Sequence, residues 1–192
     1  MPSNNPSRMR NFILAILLIF SNYLQSQITN AVELIEGSDK PLKIEYKQSV
    51  TITYQNHIVI INKNEEEIGE RIVLVNRRTG EKSRVTDYDE ECLFVGLYNN
   101  TLFFSCGTDV IRSFLIYNIN TSFRWEVNEG VLSAIIKGNK LVVVAQVSEE
   151  RKKRFRLKDG ACNTQICGYF ENIFYNLDTK QKEYSGKFKW ID

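Results

Sequence analysis

The chain has 192 residues, of which 43% are hydrophobic and 25% charged, so it is long enough to bury a core and is not composed like a disordered protein. Its 25 Lys and Arg exceed its 23 Asp and Glu by two, and Arg8 and Arg10 lie in an N-terminal segment that contains no acidic residue. Without that segment basic and acidic residues balance, so charge gives no support to nucleic-acid binding.

The first 26 residues are predicted to be a signal peptide. Arg8 and Arg10 precede an apolar run over residues 12–20, and polar residues follow that run at once. The run is shorter than the roughly 20 residues that cross a bilayer, so no stable membrane span is expected, although an uncleaved signal anchor is the alternative. We therefore expect a secreted protein, or a periplasmic one in a bacterium, in which residues 27–41 form an N-terminal linker.

A hairpin pattern occurs three times after residue 42. Each copy has an alternating strand, a turn that ends in asparagine and a nearly continuous apolar strand; the turn residues are Asn56, Asn100 and Asn139. Downstream of each hairpin a second apolar strand leads into an Asn-x-x-Thr segment, and these segments begin at Asn76, Asn118 and Asn176. Asparagine followed by threonine is typical of tight hairpin turns. The pattern predicts an all-β chain of three four-stranded antiparallel meanders, at about residues 42–88, 89–128 and 129–192.

The second of these units indicates how the meanders pack. Leu93, Val95 and Leu97 alternate with other residues, whereas residues 102–104 are apolar without interruption. A strand that is apolar on both faces is covered on both faces. Stacked sheets provide that environment, and a two-sheet β-sandwich is the runner-up.

The apolar strand that runs into Asn-x-x-Thr, three times over, resembles the blades of the broad β-propeller class that includes WD40-like, YVTN-like and quinoprotein-like repeats. The resemblance covers about residues 42–192 and lacks the Trp-Asp pair, the double-glycine kelch signature and the Asp-box pattern, so no family-specific residue can be transferred. It implies a scaffold whose loops and central channel bind a ligand. Three units are fewer than the four to eight blades of a closed propeller, so residues 31–48 add strands, or copies self-associate, or the chain is part of a longer propeller.

Four cysteines in an exported chain predict two disulfides, and local spacing favours Cys92 with Cys106 and Cys162 with Cys167. The first pair flanks a hairpin. A three-residue loop over residues 98–100 brings Cys92 opposite Cys106, whereas a two-residue Asn99-Asn100 turn shifts the pair out of register by one residue.

The third unit contains an insertion near residues 148–168, which carries a strongly basic segment. Six of its residues are candidates for binding an anionic partner such as an acidic glycan, a membrane surface or a protein patch: Arg151, Lys152, Lys153, Arg154, Arg156 and Lys158. The alternative is a solvated long hairpin whose charge is offset by Glu149, Glu150 and Asp159. Residues 151–154 also resemble a site for furin-like processing proteases, should the source be eukaryotic.

The sequence contains no recognisable catalytic or metal-binding pattern. His57 is the one histidine, and neither a nucleophile elbow nor a phosphate-binding glycine loop accompanies it, so we predict no catalytic residue, cofactor or metal. Asn99 and Asn120 are possible glycosylation sites at turns. We expect an exported binding scaffold for an unidentified protein or glycan; the alternatives are the propeller portion of a larger exported enzyme of hydrolase type, and a structural surface protein.

Overall fold

The computed structural model describes residues 32–64, 66–67, 69–107, 112–163 and 166–191. The predicted signal peptide lies outside these residues. From Leu34 onward the chain forms one compact unit. None of the helices in the described part of the chain is long and apolar enough to cross a membrane.

The prediction of an all-β chain is confirmed, since the described residues form twelve antiparallel strands and little helix. The strands are β1 Lys43–Tyr46, β2 Val50–Thr53, β3 His57–Lys63, β4 Glu70–Asn76, β5 Lys82–Thr86, β6 Cys92–Tyr98, β7 Thr101–Cys106, β8 Arg112–Asn118, β9 Phe123–Lys137, β10 Lys140–Gln146, β11 Gly168–Asn176 and β12 Lys182–Ile191. A short 3-10 helix spans Tyr88–Glu90, and the helix α1 spans Glu149–Arg154.

The strands of the described residues form two sheets. Strands β1 to β5 make a five-stranded sheet and β6 to β12 a seven-stranded one, each in chain order. The second and third predicted meanders share a sheet because β9 runs across the boundary that we placed at residues 128–129. The ladders on both sides of β9 shift register in this region, which is how a strand bends and changes partner.

The two halves of β9 nevertheless pair with different strands. Residues 123–127 pair with β8, residues 131–137 pair with β10, and Val131 lies opposite both Arg112 and Ala145. We call β1 to β5 the first unit, β6 to β8 with residues 123–127 the second unit, and residues 131–137 with β10 to β12 the third unit.

The three Asn-x-x-Thr turns share two hydrogen bonds. The side-chain oxygen of each asparagine accepts from the threonine amide, at 3.1 Å for Asn76–Thr79, 3.1 Å for Asn118–Thr121 and 2.9 Å for Asn176–Thr179. The residue after each asparagine donates its amide to the neighbouring hairpin turn, from Arg77 to Asn56, from Ile119 to Asn100 and from Leu177 to Asn139. The turns therefore occupy equivalent places in the three units.

The hairpin of β6 and β7 corrects the predicted loop length. The three-residue loop is wrong: Tyr98 pairs with Thr101 around a two-residue Asn99-Asn100 turn, whose φ angles of 44° and 61° asparagine tolerates. A bulge at Val95 adds one residue to β6 and returns Cys92 to a place opposite Cys106. Both disulfides are present as the spacing favoured, Cys92–Cys106 and Cys162–Cys167.

The segment before β2 adds structure to both sheets. Strand β1 extends the five-stranded sheet, which is one of the three outcomes expected for residues 31–48. Upstream of it, Ile35 and Asp39 donate their amides to carbonyl groups of β6, and Ile136 of β9 donates to the carbonyl of Glu36 at 2.8 Å. The second half of the predicted linker is thus bonded to the seven-stranded sheet.

Candidate functional site

The inserted segment of the third unit begins with a short helix that the sequence analysis did not predict. The hydroxyl of Ser148 caps α1 by accepting from the amide of Arg151 at 3.4 Å. Glu149 and Glu150 occupy the first turn and four basic residues the last, an order that favours a helix through its dipole. The helix ends at Arg154 with Phe155 as its C-cap, and Arg156 turns the chain away at a φ of 54°.

Arg151 does not belong to the exposed basic surface that the sequence predicted. Its Nε and Nη2 donate to the two carboxylate oxygens of Glu171 at 2.7 and 2.9 Å, and the Glu171 side chain is only 1% exposed. The guanidinium carbon also lies 3.9 Å from the ring centre of Tyr184. Arg151 therefore holds α1 on the third unit and is not free to bind a partner.

Lys152 is also occupied within the chain. Its ammonium group contacts carboxylate oxygens of Glu149 at 2.8 Å and Asp159 at 3.1 Å, and its side chain is 12% exposed. The sequence analysis gave as its alternative a basic segment whose charge is offset by Glu149, Glu150 and Asp159. For Lys152 that alternative is correct, with Glu149 and Asp159 as the partners.

The remaining four cations form what we call the basic segment: Lys153, Arg154, Arg156 and Lys158. All four residues are exposed, and none has an acidic partner within ion-pair distance in the described part of the chain. Phe155, in their midst, is 43% exposed and packs against Phe188 of β12 with ring centres 4.9 Å apart.

Three contacts fix the basic segment to the sheet beneath it. The hydroxyl of Tyr169 donates to the carbonyl of Lys158 at 2.9 Å. Gly160 lies so close to the indole of Trp190 that a Cβ atom would come within 2.9 Å of the ring. The Cys162–Cys167 disulfide then closes the end of the loop. The cations accordingly project from an anchored surface.

A second candidate region is a cleft of about 560 Å³ where the turn between β2 and β3 meets the turn between β6 and β7. It brings His57 and Asn99 together with Asp39 and Tyr54, which no sequence pattern had indicated. Burial lowers the pKa of His57. Burial, and secondarily the charge of Asp39, raises the pKa of Tyr54, whose hydroxyl has no hydrogen-bond partner among the described residues.

The lining of this cleft combines amide side chains with titratable groups. Gln55, Asn56, Asn99 and Asn100 donate and accept hydrogen bonds, and Asp39, Lys40, Tyr54 and His57 lie beside them. In the ranges that the structure describes, no group of three or more His, Cys, Asp or Glu residues could hold a metal ion. The two possible glycosylation sites, Asn99 and Asn120, lie at exposed turns.

Comparison with known proteins adds no family, since no family model matches the chain and no curated protein matches it at a significant level.

Proposed function

We propose that this chain is an exported binding scaffold that holds an anionic partner at the basic segment. The observation that carries the proposal is that Lys153, Arg154, Arg156 and Lys158 are exposed without an acidic partner in the described residues, although Arg151 and Lys152 beside them are paired. Such a local concentration of unneutralised positive charge attracts anions to this surface, although basic and acidic residues balance over the chain without the predicted signal peptide.

The internal pairs of Arg151 and Lys152 support this function indirectly. They fix the backbone of α1 against the third unit, as the contacts of Tyr169 and Gly160 fix the loop that follows. A surface that is ordered before binding loses less conformational freedom when a partner arrives, so more of the electrostatic attraction remains as affinity.

The shape of the surface favours an acidic polysaccharide over a membrane. The four cations follow one another within six residues, which suits a linear polyanion with regularly spaced charges. Phe155 is the one large apolar side chain of this segment that is prominently exposed among the described residues, and α1 has only six residues. A membrane-surface helix needs a longer amphipathic stretch with several buried apolar residues.

Export is the second part of the proposal. The two disulfides indicate an oxidising, extracellular-type environment, because such bonds are rare where thiols are kept reduced. Together with the predicted signal peptide over residues 1–26, they support secretion.

Chromatography on immobilised heparin tests the polyanion site. A variant carrying Lys153→Gln, Arg154→Gln and Arg156→Asn should elute at clearly lower salt than the wild type. Asparagine is chosen at position 156 because it tolerates the positive φ found there.

The matched control carries Lys47→Gln, Arg78→Gln and Lys137→Gln, three exposed sites elsewhere that remove the same total charge. It should elute close to the wild type. Equal shifts for both variants would mean that net charge alone drives retention, and the proposed site would be rejected. Vesicles of anionic phospholipid complete the comparison: binding to vesicles without binding to heparin would replace the polysaccharide by a membrane.

A further inference from the structure

The first and third units bury opposite faces of their sheets. In β3, the first, third and fifth residues after the turn asparagine are buried: His57, Val59 and Ile61. In β10, the second, fourth and sixth residues after the equivalent asparagine are buried: Leu141, Val143 and Ala145. In β7 of the second unit, the four residues Thr101 to Phe104 are all buried. Within the described residues, the middle unit is thus covered on both faces and each end unit on one.

Side-chain contacts show which face meets which neighbour. Glu70 lies on the buried face of β4, and its Oε2 accepts from the amide of Phe94 in the second unit at 2.8 Å. On the other side, one core cluster joins residues of the second unit such as Phe103 and Ile116 with Leu141 and Val143 of the third. We call the face toward the following unit the downstream face and the face toward the preceding unit the upstream face.

Two apolar faces therefore have no covering unit among the described residues. The upstream face of the first unit presents four half-buried side chains in adjacent register: Ile58, Ile60, Val73 and Val75. The downstream face of the third unit likewise presents Ile135, Val142, Val144 and Phe174. Apolar clusters of this kind on adjacent strands are typical of interaction surfaces.

The two open faces correspond to the two sides of an interface that the chain already forms twice, once between its first and second units and once between its second and third units. Val59, Phe103 and Val142 are each the third residue after the turn asparagine of their unit. Val59 and Phe103 lie on downstream faces and are buried, so Val142 is also on a downstream face. Ile60 and Val143 are each the fourth residue after the turn asparagine of their unit. Val143 lies on the upstream face of the third unit, where it packs in the core cluster shared with the second unit. Each open face is thus equivalent to one whose partner the structure shows.

We propose that copies of this chain associate head to tail, with the downstream face of the third unit of one copy packed on the upstream face of the first unit of the next. The contact is heterologous, so it generates a closed ring if the rotation between copies closes and a filament if it does not. The occupant is a second copy because the face that fits each open face by position is present on the same chain.

Light scattering of the exported protein tests the proposal with two variants, Ile60→Glu and Val144→Glu. Each variant lacks one face and should be monomeric at concentrations where the wild type is larger than a monomer. An equimolar mixture should form a one-to-one dimer, since the intact third unit of Ile60→Glu meets the intact first unit of Val144→Glu. Ser83→Glu, at an exposed position on the other face of the first unit, is the control and should assemble like the wild type.

Several results would overturn the proposal. A wild type that stays monomeric as its concentration rises would mean that the faces have another occupant or none. A variant that still dimerises alone would indicate association of like faces, and a mixture that stays monomeric would exclude the head-to-tail contact. If the glutamate variants fail the check of folding by circular dichroism, the milder pair Ile60→Thr and Val144→Thr should reproduce the pattern as a rise of about tenfold or more in the dissociation constant.

Discussion

The guanidinium of Arg151 and the carboxylate of Glu171 form a two-point ion pair between α1 and β11, with N–O distances of 2.7 and 2.9 Å. Replacing Arg151 by Gln leaves a buried carboxylate without its cation, and we expect the free energy of unfolding to fall by about 3–5 kcal/mol. Urea unfolding followed by circular dichroism measures this loss.

Lys153→Gln, two residues further along the same helix, is the matched control for that measurement. Its side chain is exposed and unpaired in the described residues, so its effect should stay within about 0.5 kcal/mol. Restoring neutrality with Glu171→Gln in the Arg151→Gln background should recover part of the stability. Equal stability of Arg151→Gln and the wild type would show that the pair does not hold the helix.

Two buried tyrosines should respond in opposite directions to loss of their hydroxyl groups. The hydroxyl of Tyr54 has no partner in the described part of the chain, so Tyr54→Phe should raise the free energy of unfolding by about 1 kcal/mol. The hydroxyl of Tyr175 donates to the carboxylate of Glu129 at 2.9 Å, so Tyr175→Phe should lower it by about 1.5–3 kcal/mol. The same urea titration compares both variants with the wild type, and a loss of stability in Tyr54→Phe would point to a hydrogen bond that the hydroxyl makes in solution.

The sequence predicted features that depend on local pattern and missed those that depend on distant contacts. Alternating strands and Asn-x-x-Thr turns are local, so the all-β chain and its turns could be recognised. The pairing of Cys92 with Cys106 was predicted correctly, but from a three-residue loop that the structure does not have. The turn has two residues, and a bulge at Val95 supplies the extra residue that brings the two cysteines opposite each other. Nothing near Arg151 in the sequence indicates Glu171, twenty residues later, so a structural arginine was assigned to the binding surface.

The unpredicted continuity of β9 has a related cause. A change of hydrogen-bonding partner within one strand leaves no turn residue as a signal, since the chain keeps its direction while the ladders on either side shift. The cleft beside His57 was also beyond sequence analysis. It is formed by turns of two units and by Asp39, which are far apart in the chain.

The equivalence of the three Asn-x-x-Thr turns predicts equal costs for their loss. Replacing Asn76, Asn118 or Asn176 by Ala removes the oxygen that accepts from the threonine amide, and each change should cost about 0.5–1.5 kcal/mol. Urea unfolding of the three variants checks the prediction. Asn120→Ala, an exposed residue within one of these turns, serves as control and should have little effect; costs that differ widely among the three turns would contradict their equivalence.

His57 should make the stability of the protein depend on pH. Burial lowers the pKa of His57 below its ordinary value of 6.5. As the pH falls through about 6.5, the histidine of the unfolded chain takes up a proton while that of the folded chain stays neutral. The stability contributed by the neutral imidazole is therefore present above that pH and is lost below it. Glu70 makes the stability depend on pH in the opposite direction. Burial raises its pKa, so as the pH falls the folded chain binds this proton at a higher pH than the unfolded chain does, which favours the folded state.

The variant His57→Gln separates the two contributions, since it removes the histidine and leaves Glu70 in place. The difference in unfolding free energy between wild type and variant should be constant above about pH 7.5 and should shift against the wild type as the pH falls from 7 to 5. Urea unfolding at one-unit pH intervals provides the curves. Because this is the one histidine of the chain, parallel curves for the two proteins would show that the imidazole is equally accessible to protons in the folded and unfolded states.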